Sequence, residues 1–187
     1  LERVATILQG KASVYDTDLF AAYLAWLEKA SRKEINNPTA MTLATAGMDG
    51  RPAARMVLLK GHDPDGFVFY TNLESNKGRQ LDQRPEAALV FHWKSTEQQV
   101  RVEGRAERVS DEEADAYFFT RDRGSQIGAW ASDQSAPLES RGALLTRFWD
   151  LEAEYEGREV PRPPHWTGFA LRPESIEFWT QRGFRLH

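Results

Sequence analysis

The stretch TAMTLATAGMDGRPAARMVLLKGHDPDGFVFYTN, residues 39–72, decides the fold. Thr39–Ala46, Ala53–Lys60 and Phe67–Thr71 each read as a short β-strand. Gly47-Met48-Asp49-Gly50 and His62-Asp63-Pro64-Asp65-Gly66 stand between them as turns, with glycines able to take positive φ. Downstream, Ala87–Trp93 and Gln98–Val109 repeat the pattern around the polar stretch Lys94-Ser95-Thr96-Glu97. Five strands between residues 39 and 109, mostly joined by hairpin-length links, predict an antiparallel sheet curled into a closed or nearly closed barrel.

Helical periodicity flanks this block. Leu19, Phe20, Tyr23, Leu24, Leu27 and Ala30 recur at three- and four-residue spacing, which predicts a helix over 18–34. Ser75–Gln83 reads as a short helix capped by Ser75. Ser110-Asp111-Glu112-Glu113 fits a capping box, opening a helix expected to run to Arg121 and to stop at Gly124. Leu138–Glu156 reads as another helix, and Val160-Pro161-Arg162-Pro163-Pro164 as an extended connector. Gly168–Leu171 and Ile176–Trp179 read as two final strands around a Pro173 turn. Residues 1–16 show no clear period. The expectation is one α+β domain over 1–187, without repeats or a Gly/Ser linker.

The 187 residues carry a net charge of −4, which argues against a nucleic-acid surface. There is no cysteine, so disulfides and thiolate chemistry are excluded. No apolar run is long enough to span a bilayer, and no leader is visible, although the chain starts at Leu1 rather than Met. The default location is cytoplasmic. The four histidines show no metal-ligand spacing, and Walker, Rossmann and nucleophile-elbow motifs are missing.

Chemistry-bearing residues fall into five clusters. Arg55-Met-Val-Leu-Leu-Lys60 places a cation at each end of an apolar strand; alternation puts the two on opposite faces, and surface charge alone explains them as well. Tyr70-Thr71-Asn72 followed by Ser75-Asn76-Lys77 sets hydroxyls and a cation at a helix N-terminus, a phosphate seat or simply a capped helix. Tyr117, Arg121 and Ser125 recur every four residues, with Tyr117 and Arg121 on one helical face and Ser125 either continuing it or, past a break at Gly124, capping a next turn Gln126–Trp130. A phenol, a guanidinium fork and a hydroxyl suit one phosphate, while a salt bridge from Arg121 to Asp122 or Glu113 is the plainer alternative. Gln134-Ser135 and Trp179 with Arg185-Leu-His187 say little by themselves.

Together the phrases resemble the pyridoxamine 5′-phosphate oxidase family. They are Arg55–Lys60, Phe67-Val-Phe-Tyr-Thr-Asn72, Gln98-Gln-Val-Arg-Val-Glu-Gly104, Arg121 to Trp130, Gln134-Ser135, Ile176-Glu-Phe-Trp179 and Arg185-Leu-His187, in family order over residues 18 to 187. The resemblance implies an FMN-binding split β-barrel, antiparallel and Greek-key-like with flanking helices, and a homodimer that shares its sites. It implies that Arg55, Met56, Val57, Leu58, Leu59, Lys60, Tyr70, Thr71, Asn76, Lys77 and Gln99 hold FMN, with Gln134, Ser135 and Trp179 reaching in from the facing subunit. It implies that Lys60, Tyr117, Arg121 and Ser125 grip the substrate phosphate, and that Arg185 and His187 flank the pyridine and act in catalysis. Three departures stand out. Asn76 replaces a usual Arg, the chain ends at His187 where relatives continue with a further Arg, and residues 1–16 lack the family's basic segment.

The reaction so implied is oxidation of pyridoxamine or pyridoxine 5′-phosphate to pyridoxal 5′-phosphate, with oxygen reduced to hydrogen peroxide. Rival readings are a same-fold oxidase of another aromatic, such as a phenazine precursor, a non-catalytic FMN or pyridoxal phosphate carrier, and an oligonucleotide-binding barrel, against which the acidic balance speaks.

Overall fold

A helix, α1 (Thr17–Lys33), leads into the sheet and presents Tyr23, Leu27 and Ala30 to it as a buried stripe. The structure is a computed structural model that describes residues 17–183; the expectations placed on 1–16, Arg185 and His187 lie outside the described residues. The strands are β1 (Ala40–Ala46), β2 (Pro52–Leu58), β3 (Gly61–Asp63), β4 (Gly66–Asn72), β5 (Glu86–Trp93), β6 (Gln98–Arg108) and β7 (Trp166–Thr180). The remaining helices are α2 (Asn76–Gln83), α3 (Asp111–Phe119), α4 (Arg123–Ala131) and α5 (Arg141–Glu154).

All strands form one antiparallel sheet in the order β2-β1-β5-β6-β7-β4-β3. Its two edges, β2 and β3, are consecutive in the chain and separated by Leu59 and Lys60 alone. The Leu59 amide donates to the Thr39 carbonyl (2.9 Å) on the β1 side, and the Lys60 amide donates to the Val68 carbonyl (2.8 Å) on β4. The expected curl is therefore present, and its two edges meet at this corner.

Two local expectations change. The stretch His62–Gly66 is not all turn: the Asp63 carboxylate accepts from the amides of Asp65 and Gly66 at 2.8 and 2.9 Å. That tight turn frees Gly61–Asp63 to pair with β4 as a strand of its own. Likewise Pro173 makes no turn. Residues 166–180 are one strand, and its register on β6 slips between Glu103 and Gly104. Before the slip Phe169 and Leu171 face the core; after it Ile176 does, so one bulge absorbs the change of phase. A Cβ at Gly104 would lie 2.0 Å from the Arg172 carbonyl, so the kink needs glycine there.

The barrel interior is apolar and rich in rings: Phe67, Phe69, Phe91, Leu43, Leu89 and Val100 are fully buried, and Tyr23 covers them edge-on to Phe67. A second cluster, Phe118, Ile127, Val160 and Trp166, joins α3 and α4 to the start of β7 on the outside of the sheet. Arg162 fastens it, with Nη1 donating to the Trp166 carbonyl (2.7 Å), Nη2 to Asp111 (2.7 Å) and Nε to Asp115 (2.5 Å).

Candidate active site

The cavity lies where the corner of the barrel meets α2, α3 and α4, and encloses about 440 Å³. Met56, Val57, Leu58 and Lys60 form one side, Tyr70, Thr71 and Lys77 the second, and Tyr117, Arg121, Ser125 and Gln134 the third. β2 and the corner after it supply the first side, β4 with α2 the second, and the helices after β6 with the loop that follows α4 the third.

At the α2 end, Ser75 caps the helix by accepting from the Gly78 amide (3.2 Å). Gly78 lets the helix sit down on the end of β4, since a Cβ there would lie 2.4 and 2.5 Å from the Leu73 and Asn72 carbonyls. The Lys77 ammonium is thereby buried at the cavity wall, 9% exposed. It donates to the Gln134 amide oxygen (2.6 Å) and reaches Ser75 Oγ at 3.4 Å. Burial first, and the nearby Arg55 charge second, pull its pKa down to about 8. The buried Thr71 hydroxyl also points at Gln134, at 3.4 Å.

At the other end, the Asp122 carboxylate caps α4, accepting from the Ser125 amide (2.8 Å) and hydroxyl (2.7 Å). Those two bonds hold the Asp122 pKa below the usual carboxylate range. This corrects the place of the break, which was expected at Gly124 after a helix running to Arg121, with a next turn over Gln126–Trp130. Instead α3 ends at Phe119, Arg121 sits in the corner, and Gly124 lies in the first turn of α4. Tyr117, Arg121 and Ser125 do converge, but across that corner and not along one helical face. Because the Ser125 hydroxyl donates to Asp122, it must leave that bond before it can donate to an anion.

Arg121 makes no ion pair with Asp122 or Glu113; among the described residues no carboxylate pairs with Lys60, Lys77 or Arg121. Ten other arginines do have such partners. Arg121 Nη1 is buried without a hydrogen-bond partner, and desolvation lowers its pKa from the ordinary arginine value. In an acidic chain, three uncompensated cations on one cavity mark a place built for anions.

Other expected residues are placed differently. Arg55 stays out of the cavity wall and donates to Thr45 Oγ1 (2.6 Å), the Leu43 carbonyl (3.2 Å) and Gln80 (3.4 Å), so its charge reaches the site through Lys77. The Leu59 side chain belongs to the core. Asn76 is exposed and accepts from Arg79 (2.7 Å). Gln99 and Trp179 are paired across β6 and β7, on the face opposite buried Val100, and neither lines the cavity. Gln134 reaches Lys77 within one chain, and Ser135 follows it with φ of 71°. Trp166, overlooked in the sequence, lines the cavity; the phrase His165-Trp-Thr-Gly168 after a proline-rich connector was its visible trace.

A curled antiparallel barrel with helices on its outer face and a cation-lined cavity at its corner defines the FMN-binding split-barrel class of fold. Residues 27–179 match the family model described as pyridoxamine 5′-phosphate oxidase. The chain belongs to that family. A relative from Azorhizobium caulinodans, named pyridoxine/pyridoxamine 5′-phosphate oxidase, is 62% identical over 168 residues, covering 90% of this chain and 79% of that protein. One of the same name from Sphingopyxis alaskensis is 54% identical over 185 residues, covering 99% and 84%. Among solved structures, PhzG from Burkholderia lata 383 in complex with tetrahydrophenazine-1-carboxylic acid is 34% identical with a TM-score of 0.83, covering 91% of this chain and 82% of that one. A pyridoxamine 5′-phosphate oxidase-related, FMN-binding protein from Nostoc punctiforme shares the fold at 20% identity and a TM-score of 0.68, covering 88% and 84%.

Proposed function

We propose that this protein oxidises pyridoxamine 5′-phosphate or pyridoxine 5′-phosphate to pyridoxal 5′-phosphate with FMN as cofactor, reducing oxygen to hydrogen peroxide. The observation that carries this is the set of three unpaired cations on one cavity, split between two ends. Two anions are called for, and a phosphorylated cofactor and a phosphorylated substrate supply them.

The residues present fit FMN. Lys77, the Thr71 hydroxyl and the free amides at the start of α2 form a seat for a phosphate, and the buried ammonium lacks a counter-charge that a phosphate would provide. When bound there, FMN supplies the acceptor for the two electrons taken from the substrate's side-chain carbon. Arg121, Tyr117 and Lys60 then hold the substrate phosphate, with the Arg121 fork matching two of its oxygens. This grip on a non-reacting group places the ring and fixes the reacting carbon. Gln134 gives up the Lys77 ammonium or shares it as the cofactor anion arrives.

Homodimerisation is part of the proposal. Gln99 and Trp179 sit together away from this chain's cavity, which suits residues that complete a second chain's site. Arg185 and His187 are assigned to the pyridine ring on the family pattern, and a cytoplasmic location goes with it; among the described residues no helix is long and apolar enough to cross a membrane. A second reading draws on the PhzG likeness: an aromatic carboxylate would also match the Arg121 fork.

The test is an absorbance spectrum of the purified protein, then anaerobic addition of pyridoxamine 5′-phosphate. A yellow protein that bleaches, and that releases peroxide when air returns, is the expected result. A colourless folded protein, or a yellow one that bleaches only with tetrahydrophenazine-1-carboxylic acid, overturns it.

A further inference from the structure

Three rings pave the wall beside Arg121. Tyr70 lies 4.0 Å from Tyr117 and 5.1 Å from Trp166, with interplanar angles of 11° and 8°. Tyr117 and Trp166 are 6.2 Å apart and 4° from parallel. Rings on opposite faces of Tyr70 would be at least about 7 Å apart, since carbon contacts close at about 3.5 Å. Tyr117 and Trp166 therefore lie on the same face of Tyr70, side by side in almost one plane. Gly168 makes room for this, because a Cβ there would come within 2.7 Å of the Tyr70 ring.

The Arg121 guanidinium lies over this paving, 5.0 Å from the Trp166 ring centre and 5.6 Å from that of Phe118. A carboxylate partner would orient Arg121 but would also consume its charge and its N–H groups. An aromatic face orients it and leaves both available, as the unpartnered Nη1 shows. We propose that Trp166 is a positioning residue of the substrate-anion site: its indole face fixes the Arg121 guanidinium without neutralising it, and Arg162 fixes Trp166 relative to the helix that carries Tyr117. The second half rests on the three Arg162 bonds, which tie the Trp166 carbonyl to Asp111 and Asp115 of α3. Arg162 is only 13% exposed and both carboxylates are spent on it, so it holds position and binds no ligand.

This inference rests on the reading of Arg121 as the substrate-phosphate fork, and the test separates the two. Steady-state kinetics with pyridoxamine 5′-phosphate are measured on the flavin-loaded parent, Trp166→Leu, Trp166→Phe and Arg121→Lys, with inorganic phosphate as a competitive inhibitor. Trp166→Leu is expected to raise both KM and the phosphate inhibition constant roughly tenfold with kcat within about twofold, the size of a desolvated cation–π contact. Trp166→Phe, which keeps a weaker aromatic face, is expected to recover most of that loss. An unchanged KM in folded Trp166→Leu, with KM raised in Arg121→Lys, overturns the role of Trp166 and leaves the site reading intact. An unchanged KM in both variants overturns the site reading as well. Equal loss in the Leu and Phe variants also overturns the cation–π role. If Trp166→Leu does not fold, Trp166→Met takes its place, and an unchanged KM and phosphate inhibition constant in that folded variant overturn the role of Trp166.

Discussion

Lys77 carries the sharpest consequence for a single residue. Its ammonium is buried and its pKa is pulled to about 8 from the usual 10.5, burial first and Arg55 second. The charged form exists below about 8 and fades as pH rises through it, whereas a bound phosphate would favour the charged form. FMN affinity is therefore expected to fall from pH 8 upward, with a proton taken up on binding in that range. The phosphate's own charge is constant there, since its second pKa is about 6. For folding the sign is reversed: burying the charge costs stability below pH 8, and that cost is relieved between 8 and the unfolded value. Flavin fluorescence quenching titrated from pH 7 to 10 checks the binding trend, with Lys77→Met weak and flat. A flat profile in the parent would remove Lys77 from the seat. At this scale the sequence told residue types better than directions. Lys60, Tyr117 and Arg121 were legible as site candidates and do line one cavity, but one phrase, Arg55–Lys60, mixes a cavity wall with a core leucine and a guanidinium turned to Thr45.

Among the elements, α2 is the one whose seating the cavity depends on most. Its approach to β4 requires glycine at 78, because main-chain carbonyls at 2.4 and 2.5 Å leave no room for a methyl. Gly78→Ala is expected to lift the helix, lower stability by roughly 1–3 kcal/mol as overpacking does, and deplete bound flavin. Gly142→Ala in α5 is the control: its Cβ would meet Ser140 Oγ at 3.5 Å, an ordinary contact, and the melting temperature should hold or rise. Thermal melts and flavin content of the two variants decide it. Helix starts marked by serine, at 75 and 110, were readable because the cap is a local bond between neighbours. The break after α3 was readable as well, but at Gly124 rather than at 120–122, since Gly124 drew attention from the cap at Asp122. The single strand through Pro173 was not readable: β7 itself bulges at Glu174, and the close approach depends on Gly104 of β6, a fact held about seventy residues away in the chain.

For the molecule as a whole, hairpin spacing was enough to foretell a curled antiparallel sheet, while the strand order that brings its edges together depends on long-range pairing. β2 and β3 are sequence neighbours yet lie at opposite ends of the strand order. Leu59 and Lys60 thus act as a clasp, one amide fastened to each side. The residue that closes the clasp also lines the cavity, so an anion held there, as proposed, would couple ligand capture to the integrity of the barrel through a single peptide unit. The Lys60 amide is a built-in gauge of this linkage. Its proton can be traded with solvent only when the rim parts, and a phosphate ester held by the side chain should slow that trade well beyond its effect on the Phe69 and Phe91 amides deep in the barrel. Deuterium uptake with and without pyridoxal 5′-phosphate would measure how far occupancy of the cavity latches the barrel shut.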